Sequence, residues 1–274
     1  MTPPICLPLI QTVADNMNRS EIDRLGTRLR EGDTSEADLI ALDAYRQSAR
    51  ADYDEVVRRI SGEGVAATGR PAKSTRSIVD KLRRESSRLT QIQDIAGCRV
   101  VVSGIEAQDI LAGRLLKVLP GSKLIDRRQS PSFGYRAVHL VYKGTLAPIE
   151  VQIRTALQHA WAELSEKLSD RLGAEIKYGK GDEQVRTVLD HVSVTIGMFE
   201  NAETQYVVLL AKRTNLIETV RRDSTQGRFE ALKTQISELD NALALLQSEA
   251  ENGKAKLLIL LKESAASWVL KGKA

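Results

Sequence analysis

The spacing of apolar residues changes twice along this chain. Between residues 5 and 62 the apolar positions recur at roughly helical intervals. The middle of the chain instead carries short alternating or β-branched runs, which are typical of strands. Near the C-terminus the spacing is helical again. The pattern therefore predicts three segments. They are a helical N-terminal segment (1–62), a mixed core (63–182) and a helical C-terminal extension (183–274).

Helices and strands alternate within the predicted core. Helical periodicity covers 75–87, 106–119 and 156–172, and the strand candidates are 98–102, 123–127, 137–142 and 149–153. Pro120-Gly121 and Lys143-Gly144 mark turns between them. Such a set predicts an α+β fold, in which a small mixed β-sheet is flanked by helices, with helical extensions at both ends.

Six apolar residues of the C-terminal extension are spaced alternately three and four positions apart, as in the seam of a coiled coil. They are Phe229, Leu232, Ile236, Leu239, Leu243 and Leu246. This spacing is equally consistent with a helical hairpin that packs on its own domain and with a short coiled coil between two copies of the protein. Asn252-Gly253 is predicted to separate this helix from a last helix over 254–270.

Charge and composition narrow the class of protein. Of the 274 residues 42% are apolar, the formal net charge is +4 and the pI is about 9.0, which suits phosphate ligands but is too weak to indicate DNA binding. The two cysteines, Cys6 and Cys98, form no disulfide framework, which favours a reducing cytoplasm, and Cys98 is predicted to be a buried thiol. No apolar run approaches about 18 residues and no cationic stretch precedes the apolar N-terminal patch, so neither a membrane span nor a signal peptide is expected.

Two acidic residues lie at predicted strand ends. Asp94 precedes one buried strand and Glu150 opens another. Carboxylates placed in this way suit Mg²⁺, which is usually bound by one or two carboxylates together with the phosphates of a substrate. Taken alone, an Asp in this position is usually a turn residue or a cap. Because side chains alternate along a strand, Glu150, Gln152 and Arg154 are predicted to lie on one face of this strand. Three polar side chains on one face are expected to line a cleft and not a closed core, since buried charges must be paired.

A dense group of cations lies at the start of the core. In a helix that begins near residue 75, Ser77, Lys81 and Arg84 share one stripe. Lys73 lies near the helix start, where backbone N–H groups attract anions. Lysine point charges and an arginine fork form a natural clamp for a triphosphate. From composition alone, a solvated basic face explains the same residues more simply.

Two further groups of side chains could contact a flat or charged ligand. In the loop ahead of one strand, Gly134 allows a sharp turn and Tyr135 offers a face on which a purine can stack, although such a Tyr is more often a half-buried strand aromatic. On the helix over 156–172, His159 and Glu163 lie four residues apart on one face. A metal site at that pair is not favoured, because the sequence offers no further ligand beside it.

Three motifs, in this order, resemble the synthetase domain of RelA/SpoT-type alarmone synthetases, in the small form that carries the synthetase alone. They are Asp-Ile-Ala-Gly-x-Arg-Val at 94–100, Gly-Tyr-Arg-Ala-Val-His at 134–139 and Glu-Val-Gln-Ile-Arg-Thr at 150–155. The resemblance covers roughly residues 70–180. It implies a nucleotidyltransferase-like core and a pyrophosphokinase, which transfers the β,γ-pyrophosphate of ATP to the 3′-hydroxyl of a nucleotide and releases AMP.

The resemblance also implies roles for individual residues. ATP would be held by Arg70, Lys73, Ser77, Lys81 and Arg84. The cofactor would be Mg²⁺ on Asp94 and Glu150, and Glu150 would also accept the proton of the attacking hydroxyl. The catalytic residues would be Asp94, Glu150, Lys81 and Arg84. The acceptor would contact Tyr135, Arg136, His139, Gln152, Arg154, His159 and Glu163.

The acceptor loop departs from the family pattern. This chain has Pro131-Ser132-Phe133 where the family carries a Pro-Lys pair and an Asn before Gly-Tyr, and its cations lie upstream at Arg127 and Arg128. The resemblance implies GDP or GTP as the acceptor, which gives (p)ppGpp, but the altered loop weakens this implication. The alternative acceptor is the 3′ end of tRNA, whose modification would make the protein a translation-blocking toxin. The third interpretation is a catalytically silent module that binds nucleotide or RNA. Intact Asp94 and Glu150 argue against it.

No hydrolase is expected beside the synthetase. The hydrolase of the family uses a His-Asp metal site, and none of His139, His159 and His191 is followed by Asp. The C-terminal helices would then serve in homo-oligomerisation or in binding an antitoxin or another regulator.

Overall fold

The computed structural model describes residues 17–222 and 226–270. Cys6 and the start of the predicted N-terminal helical segment lie outside these residues. The fold comprises two compact units. The first contains the described residues up to 101 together with 110–126 and 138–153, and the second contains 102–109, 127–137 and the described residues from 154 onward.

The helices and strands follow the predicted order, except for one short strand at 68–70 that the sequence pattern did not predict. The helices are α1 (Arg19–Glu31), α2 (Glu36–Gly62), α3 (Thr75–Glu85), α4 (Ile105–Val118), α5 (Ala156–Leu172), α6 (Glu183–Arg222) and α7 (Gln226–Leu270). The strands are β1 (Thr68–Arg70), β2 (Ala96–Val102), β3 (Lys123–Asp126), β4 (Val138–Tyr142) and β5 (Ile149–Thr155). Short 3₁₀ turns cover Leu89–Gln91 and Ala174–Tyr178.

A five-stranded sheet with the order β1-β2-β5-β4-β3 lies at the centre of the first unit. The pairs β1–β2, β3–β4 and β4–β5 are antiparallel, and in the last pair His139 lies opposite Gln152. Gly97 in β2 allows a close approach to β5, because a Cβ on Gly97 would lie 2.9 Å from the carbonyl oxygen of Glu150. The structure confirms the α+β class with a small mixed sheet and flanking helices.

The apolar stripes of the N-terminal helices build the core of the first unit. Ile22 of α1, Leu42 and Tyr45 of α2 and Ile78 of α3 are fully buried. α1 begins at Asn18, whose side chain accepts a hydrogen bond from the N–H of Glu21. This cap satisfies backbone donors that a helix start leaves unpaired. The helices therefore supply an apolar layer for the sheet unit.

The second unit consists mainly of α5, α6 and α7. α6 and α7 run antiparallel, as the contacts Tyr206–Gln247 and Arg213–Asp240 show. Between residues 229 and 246, the six positions of the heptad seam are the only ones that are not exposed. Periodicity alone could locate this face, since every third or fourth residue of a helix points the same way.

One predicted boundary is wrong. Asn252-Gly253 does not end a helix, because α7 continues without interruption through both residues. Gly253 has a packing role instead. A Cβ at this position would lie 2.7 Å from the ring of Phe199 in α6. The glycine therefore permits close contact between two helices, and its lower helix propensity is offset by the packing of its neighbours.

Within the part of the chain that the structure describes, no helix combines the length and the apolar composition that crossing a membrane requires.

Candidate functional site

Asp94 lies between two lysines in the first unit. Lys73 contacts Asp94 through its ammonium group, and Lys81 Nζ lies 2.9 Å from Asp94 Oδ1. The backbone fixes this arrangement, since the N–H of Lys73 donates to the carbonyl of Ile95 at 2.6 Å and Arg46 Nε donates to the carbonyl of Lys73 at 2.6 Å. The sequence placed both lysines near a phosphate site, and the structure also brings them together with the predicted metal ligand.

The charges of this group shift its protonation equilibria. Burial alone would raise the pKa of Asp94, but the ammonium groups of Lys81 and Lys73 lower it to about 2. Burial would lower the pKa of Lys81, but Asp94 outweighs burial and raises it. Both side chains therefore remain charged at neutral pH.

Glu150 lies on β5 and is 8% exposed. His139 Nδ1, on the neighbouring strand β4, lies 2.9 Å from Glu150 Oε1, and the amide of Gln152 donates to Glu150 Oε2 at 2.6 Å. Burial would raise the pKa of Glu150, but His139 and Gln152 hold it below its ordinary value. The predicted shared orientation of Glu150 and Gln152 on β5 agrees with this contact.

The two carboxylates lie on neighbouring parts of the sheet, since Asp94 precedes β2 and β2 lies beside β5, which carries Glu150. The charge of Asp94 acts to raise the pKa of Glu150, and that of Glu150 acts to raise the pKa of Lys81. Carboxylate oxygens are the hard ligands that Mg²⁺ takes. No group of three or more His, Cys, Asp or Glu side chains that could hold a metal occurs within 17–222 or 226–270. A cation here would therefore need further oxygen ligands from a substrate, as is usual for Mg²⁺.

The remaining predicted ATP residues lie on α3 and β1. Ser77 Oγ lies 2.7 Å from Ser74 Oγ, at the start of α3. Arg84 Nη2 lies 3.0 Å from Glu85 in the last turn of that helix. Arg70 is exposed at the end of β1. The first unit thus gathers Lys73 and Lys81 at Asp94 and presents the other cations on the same segment of chain.

Tyr135 and Arg154 form a second cluster, which belongs to the second unit. The hydroxyl of Tyr135 accepts hydrogen bonds from Arg154 Nε at 3.2 Å and Nη2 at 3.0 Å. The Arg154 guanidinium carbon lies 5.1 Å from the centroid of the Tyr135 ring. The centroids of the Tyr135 and Trp161 rings are 6.4 Å apart. Arg154 is 5% exposed. Because Arg154 is planar and always charged, it fixes the orientation of Tyr135.

Helix α6 holds the loop that carries Tyr135. Ser193 Oγ donates to the carbonyl of Gly134 at 2.7 Å, and Arg136 donates twice to Glu200 Oε2, at 2.8 and 2.6 Å. Gln158 donates to the other oxygen of Glu200 at 2.7 Å. Sequence reasoning missed Ser193 and Glu200. A signal was present, since Glu200 follows the buried Ile196 by one helical turn and thus occupies a core-facing position.

His159 and Glu163 lie on α5, as predicted. His159 Nε2 is 3.5 Å from Glu163 Oε1, and the Glu163 side chain is 43% exposed. This is the distance of an i,i+4 pair on a helix surface. The structure therefore places both residues in the second unit, on one face of α5.

Loss of the Glu200 carboxylate should destabilise the second unit. In Glu200→Ala the guanidinium of Arg136, whose side chain is only 15% exposed, has lost its carboxylate, which should lower the free energy of unfolding by about 3 kcal/mol. Glu218→Ala, which removes an exposed partner of Arg222, is the control and should cost less than about 1 kcal/mol. Urea unfolding of both variants measures the difference. Equal, small losses would mean that the buried ion pair has no special role.

Asp94 should contribute to acid stability. Its pKa in the folded protein, about 2, lies below the ordinary Asp value of 3.8, so its contribution to stability is present above pH 4 and is lost as the pH falls through 2. Between pH 5 and pH 2 the wild-type protein should therefore lose about 2 kcal/mol more stability than Asp94→Asn. Asp80→Asn, which removes an exposed carboxylate, is the control and should lose as much stability between pH 5 and pH 2 as the wild-type protein does. Parallel curves for wild type and Asp94→Asn in denaturant titrations would contradict this assignment.

The part of the chain that carries Lys73, Lys81, Asp94 and Glu150 is similar to a region of known proteins. Residues 69–175 match the family model described as a region found in RelA / SpoT proteins. The uncharacterized proteins Rv1366 of Mycobacterium tuberculosis (strain ATCC 25618 / H37Rv) and Mb1401 of Mycobacterium bovis (strain ATCC BAA-935 / AF2122/97) are each 34% identical to this chain, over 61% of this chain and 64% of theirs. The match thus spans less than two thirds of the length of these relatives.

Two solved structures have a partial likeness to this chain. The small alarmone synthetase 1 from Bacillus subtilis is 23% identical, with a TM-score of 0.46, over 61% of this chain and 94% of that one. The protein smu.1046c from Streptococcus mutans UA159 is 22% identical, with a TM-score of 0.44, over 60% of this chain and 92% of that one. Residues 69–175, which include both carboxylates and both lysines, are thus similar to a region found in RelA / SpoT proteins.

Proposed function

We propose that this protein is a pyrophosphokinase of the (p)ppGpp synthetase type, which transfers the β,γ-pyrophosphate of ATP to the 3′-hydroxyl of GDP or GTP. One observation carries the proposal. Asp94 lies with the ammonium groups of Lys73 and Lys81 just ahead of β2, and a second carboxylate, Glu150, lies on the neighbouring strand β5. All four residues fall within the segment that is similar to RelA / SpoT proteins. Two carboxylates and two cations are the groups that a metal–triphosphate complex requires.

In the proposed reaction the acceptor 3′-oxygen attacks the β-phosphorus of ATP. The bond from that phosphorus to the oxygen bridging the α- and β-phosphates breaks, and AMP leaves with the bridging oxygen. The proton of the acceptor hydroxyl passes to Glu150. Because the pKa of Glu150 is held below its ordinary value, the carboxylate is ionised at neutral pH and able to accept it.

His139 and Gln152 orient Glu150 in this proposal. Their contacts, at 2.9 and 2.6 Å, fix one carboxylate oxygen each. Mg²⁺ held by Asp94 and Glu150 would neutralise charge on the phosphates. Lys73 and Lys81 bind the phosphates, and their present contacts with Asp94 keep both ammonium groups in place until ATP arrives.

The other predicted ATP and acceptor residues complete the proposal. Arg70, Ser77 and Arg84 would bind ATP along β1 and α3. Tyr135 would stack on the acceptor base, with its orientation fixed by Arg154. The remaining acceptor contacts would be Arg136, His139, Gln152, His159 and Glu163. Catalysis would then depend mainly on positioning and charge neutralisation, as in phosphoryl transfer generally.

The 3′ end of tRNA is the second candidate acceptor. The loop at 131–133 carries an exposed aromatic in place of the polar residues of the family pattern, and the Arg127 side chain contacts Ser132 of this loop. A cation and an exposed aromatic on one loop suit a single-stranded nucleic acid. With this acceptor the same transfer chemistry would stop translation. In either case we propose that the chain has no hydrolase activity, because it lacks a His-Asp pair.

The acceptor can be identified by following the label of γ-labelled ATP. Purified full-length protein is incubated with Mg²⁺ and GDP, GTP or bulk tRNA, with Glu150→Gln as the inactive control. Transfer of label to GDP or GTP would establish an alarmone synthetase, and transfer to tRNA would establish the second candidate. The absence of transfer to all three would contradict both and favour the silent binding module.

A further inference from the structure

The loop before β4 contains a tight turn with an unusual central residue. The N–H of Tyr135 donates to the carbonyl of Ser132 at 3.0 Å, which closes a four-residue turn. The central residues, Phe133 and Gly134, have φ values of 51° and 81°. Positive φ at both central positions is the signature of a type I′ turn, for which Asn-Gly is the preferred pair.

Phe133 is poorly suited to this backbone conformation. A bulky residue other than glycine in the left-handed region is an outlier, whereas Asn or Gly would adopt it at lower cost. Residues held in such conformations often have functional roles. Local folding therefore does not account for the aromatic at this position.

Core packing does not account for Phe133 either. The residue is 56% exposed, unlike the large apolar residues of the core. Its ring is nevertheless supported, since a Cβ on Gly179 would collide with it. The turn beneath the ring is fixed by the hydrogen bond from Ser193 to the Gly134 carbonyl and by Arg154 on Tyr135. The result is an aromatic ring that is held in place and open to solvent.

A cation lies on the same loop as this ring. Arg127 Nη1 is 3.1 Å from the Oγ of Ser132, the residue that precedes Phe133, and the Arg127 N–H donates to the carbonyl of Ala137 at 2.9 Å. The backbone of Arg127 is thus held at the far end of the loop and its side chain at the turn. An exposed aromatic face and an anchored guanidinium on one loop can bind a base and its phosphate together.

We propose that Phe133 is a specificity-determining residue that stacks on a base of the acceptor, with Arg127 contacting the adjoining phosphate. This inference rests on the proposed function, because it assumes that the loop at 127–137 receives the acceptor. The chemistry it requires, a base next to a phosphate, is shared by free guanine nucleotides and by the unpaired 3′ end of tRNA.

Equilibrium binding tests the inference separately from catalysis. Affinities of the full-length protein for GDP, GTP, deacylated tRNA and ATP are measured for wild type, Phe133→Asn and Phe133→Tyr. Asn suits the left-handed turn but removes the ring, so affinity for the acceptor should fall about tenfold or more. Tyr keeps the ring and should keep the affinity. ATP affinity and the melting temperature should not fall in either variant. The ligand that loses affinity identifies the source of the base.

Three outcomes would overturn the inference. The first is that Phe133→Asn binds GDP, GTP and tRNA as wild type does, and the second is that wild type binds none of them. The third is that Phe133→Asn loses ATP affinity and thermal stability together with acceptor affinity, which would indicate a structural role. Transfer of label from ATP, followed in parallel, reports on the proposed function itself. Active wild type with unchanged acceptor binding in Phe133→Asn would refute the role of Phe133 alone.

Discussion

Replacement of Glu150 by Gln is expected to lower the rate of pyrophosphate transfer by about 10³- to 10⁴-fold. The amide has nearly the same shape as the carboxylate, so the contacts with His139 and Gln152 can be replaced by amide hydrogen bonds. What is lost is the negative charge, and with it both the proton acceptor and a ligand for a cation. Steady-state rates at saturating ATP and acceptor measure the effect.

The fold must be shown to survive the substitution of Glu150. Circular dichroism and thermal unfolding should resemble those of the wild-type protein. Glu36→Gln is a matched control, since Glu36 is an exposed residue in the first turn of α2 and its loss should leave the rate unchanged. A Glu150→Gln variant that retains more than about a tenth of the wild-type rate would contradict the role of Glu150 as base and ligand.

Replacement of Lys81 by Met should have the second largest effect, a loss of about 10²- to 10³-fold in rate. Met preserves the length and the apolar stem of Lys81 but removes the ammonium group that lies 2.9 Å from Asp94. Because burial and the neighbouring lysines together set the pKa of Asp94, that pKa should rise in the variant. The electrostatic role of Lys81 therefore predicts a change in both rate and acid titration.

Lys117→Met serves as the control for Lys81→Met. Lys117 is exposed on α4, so its loss should change neither the rate nor the acid titration. Rates over a range of ATP concentrations separate weaker ATP binding, which raises KM, from weaker stabilisation of the transition state, which lowers kcat. If Lys81→Met behaved like Lys117→Met, Asp94 and its neighbours would be a structural ion pair only.

Local sequence signals are sufficient to predict those elements whose structure depends on contacts between residues close in sequence. The helix over 156–172 was predicted with its observed bounds. It begins at Thr155, whose side chain accepts from the N–H of Gln158 while the side chain of Gln158 accepts from the Thr155 N–H. This capping box can be recognised in the sequence. The strand alternation around Glu150 likewise placed Gln152 on the same face.

Contacts between distant residues could not be predicted in this way. Gly253 is a helix breaker by propensity, and only the ring of Phe199, brought near by the packing of α6 on α7, explains its place inside a helix. Ser193 binds the carbonyl of Gly134 from 59 positions away. No local period connects such residues, since their proximity depends on the tertiary fold.

The stoichiometry of the products tests the central claim most directly. With γ-labelled ATP and the acceptor that becomes labelled, a pyrophosphokinase must release one AMP for each labelled acceptor molecule, and the acceptor must gain two phosphates. Chromatography of the products, with mass spectrometry of the labelled acceptor, measures both quantities. Equal amounts of AMP and doubly phosphorylated product are the expected result. Release of ADP with a single added phosphate, or hydrolysis of ATP with no labelled acceptor, would contradict the account.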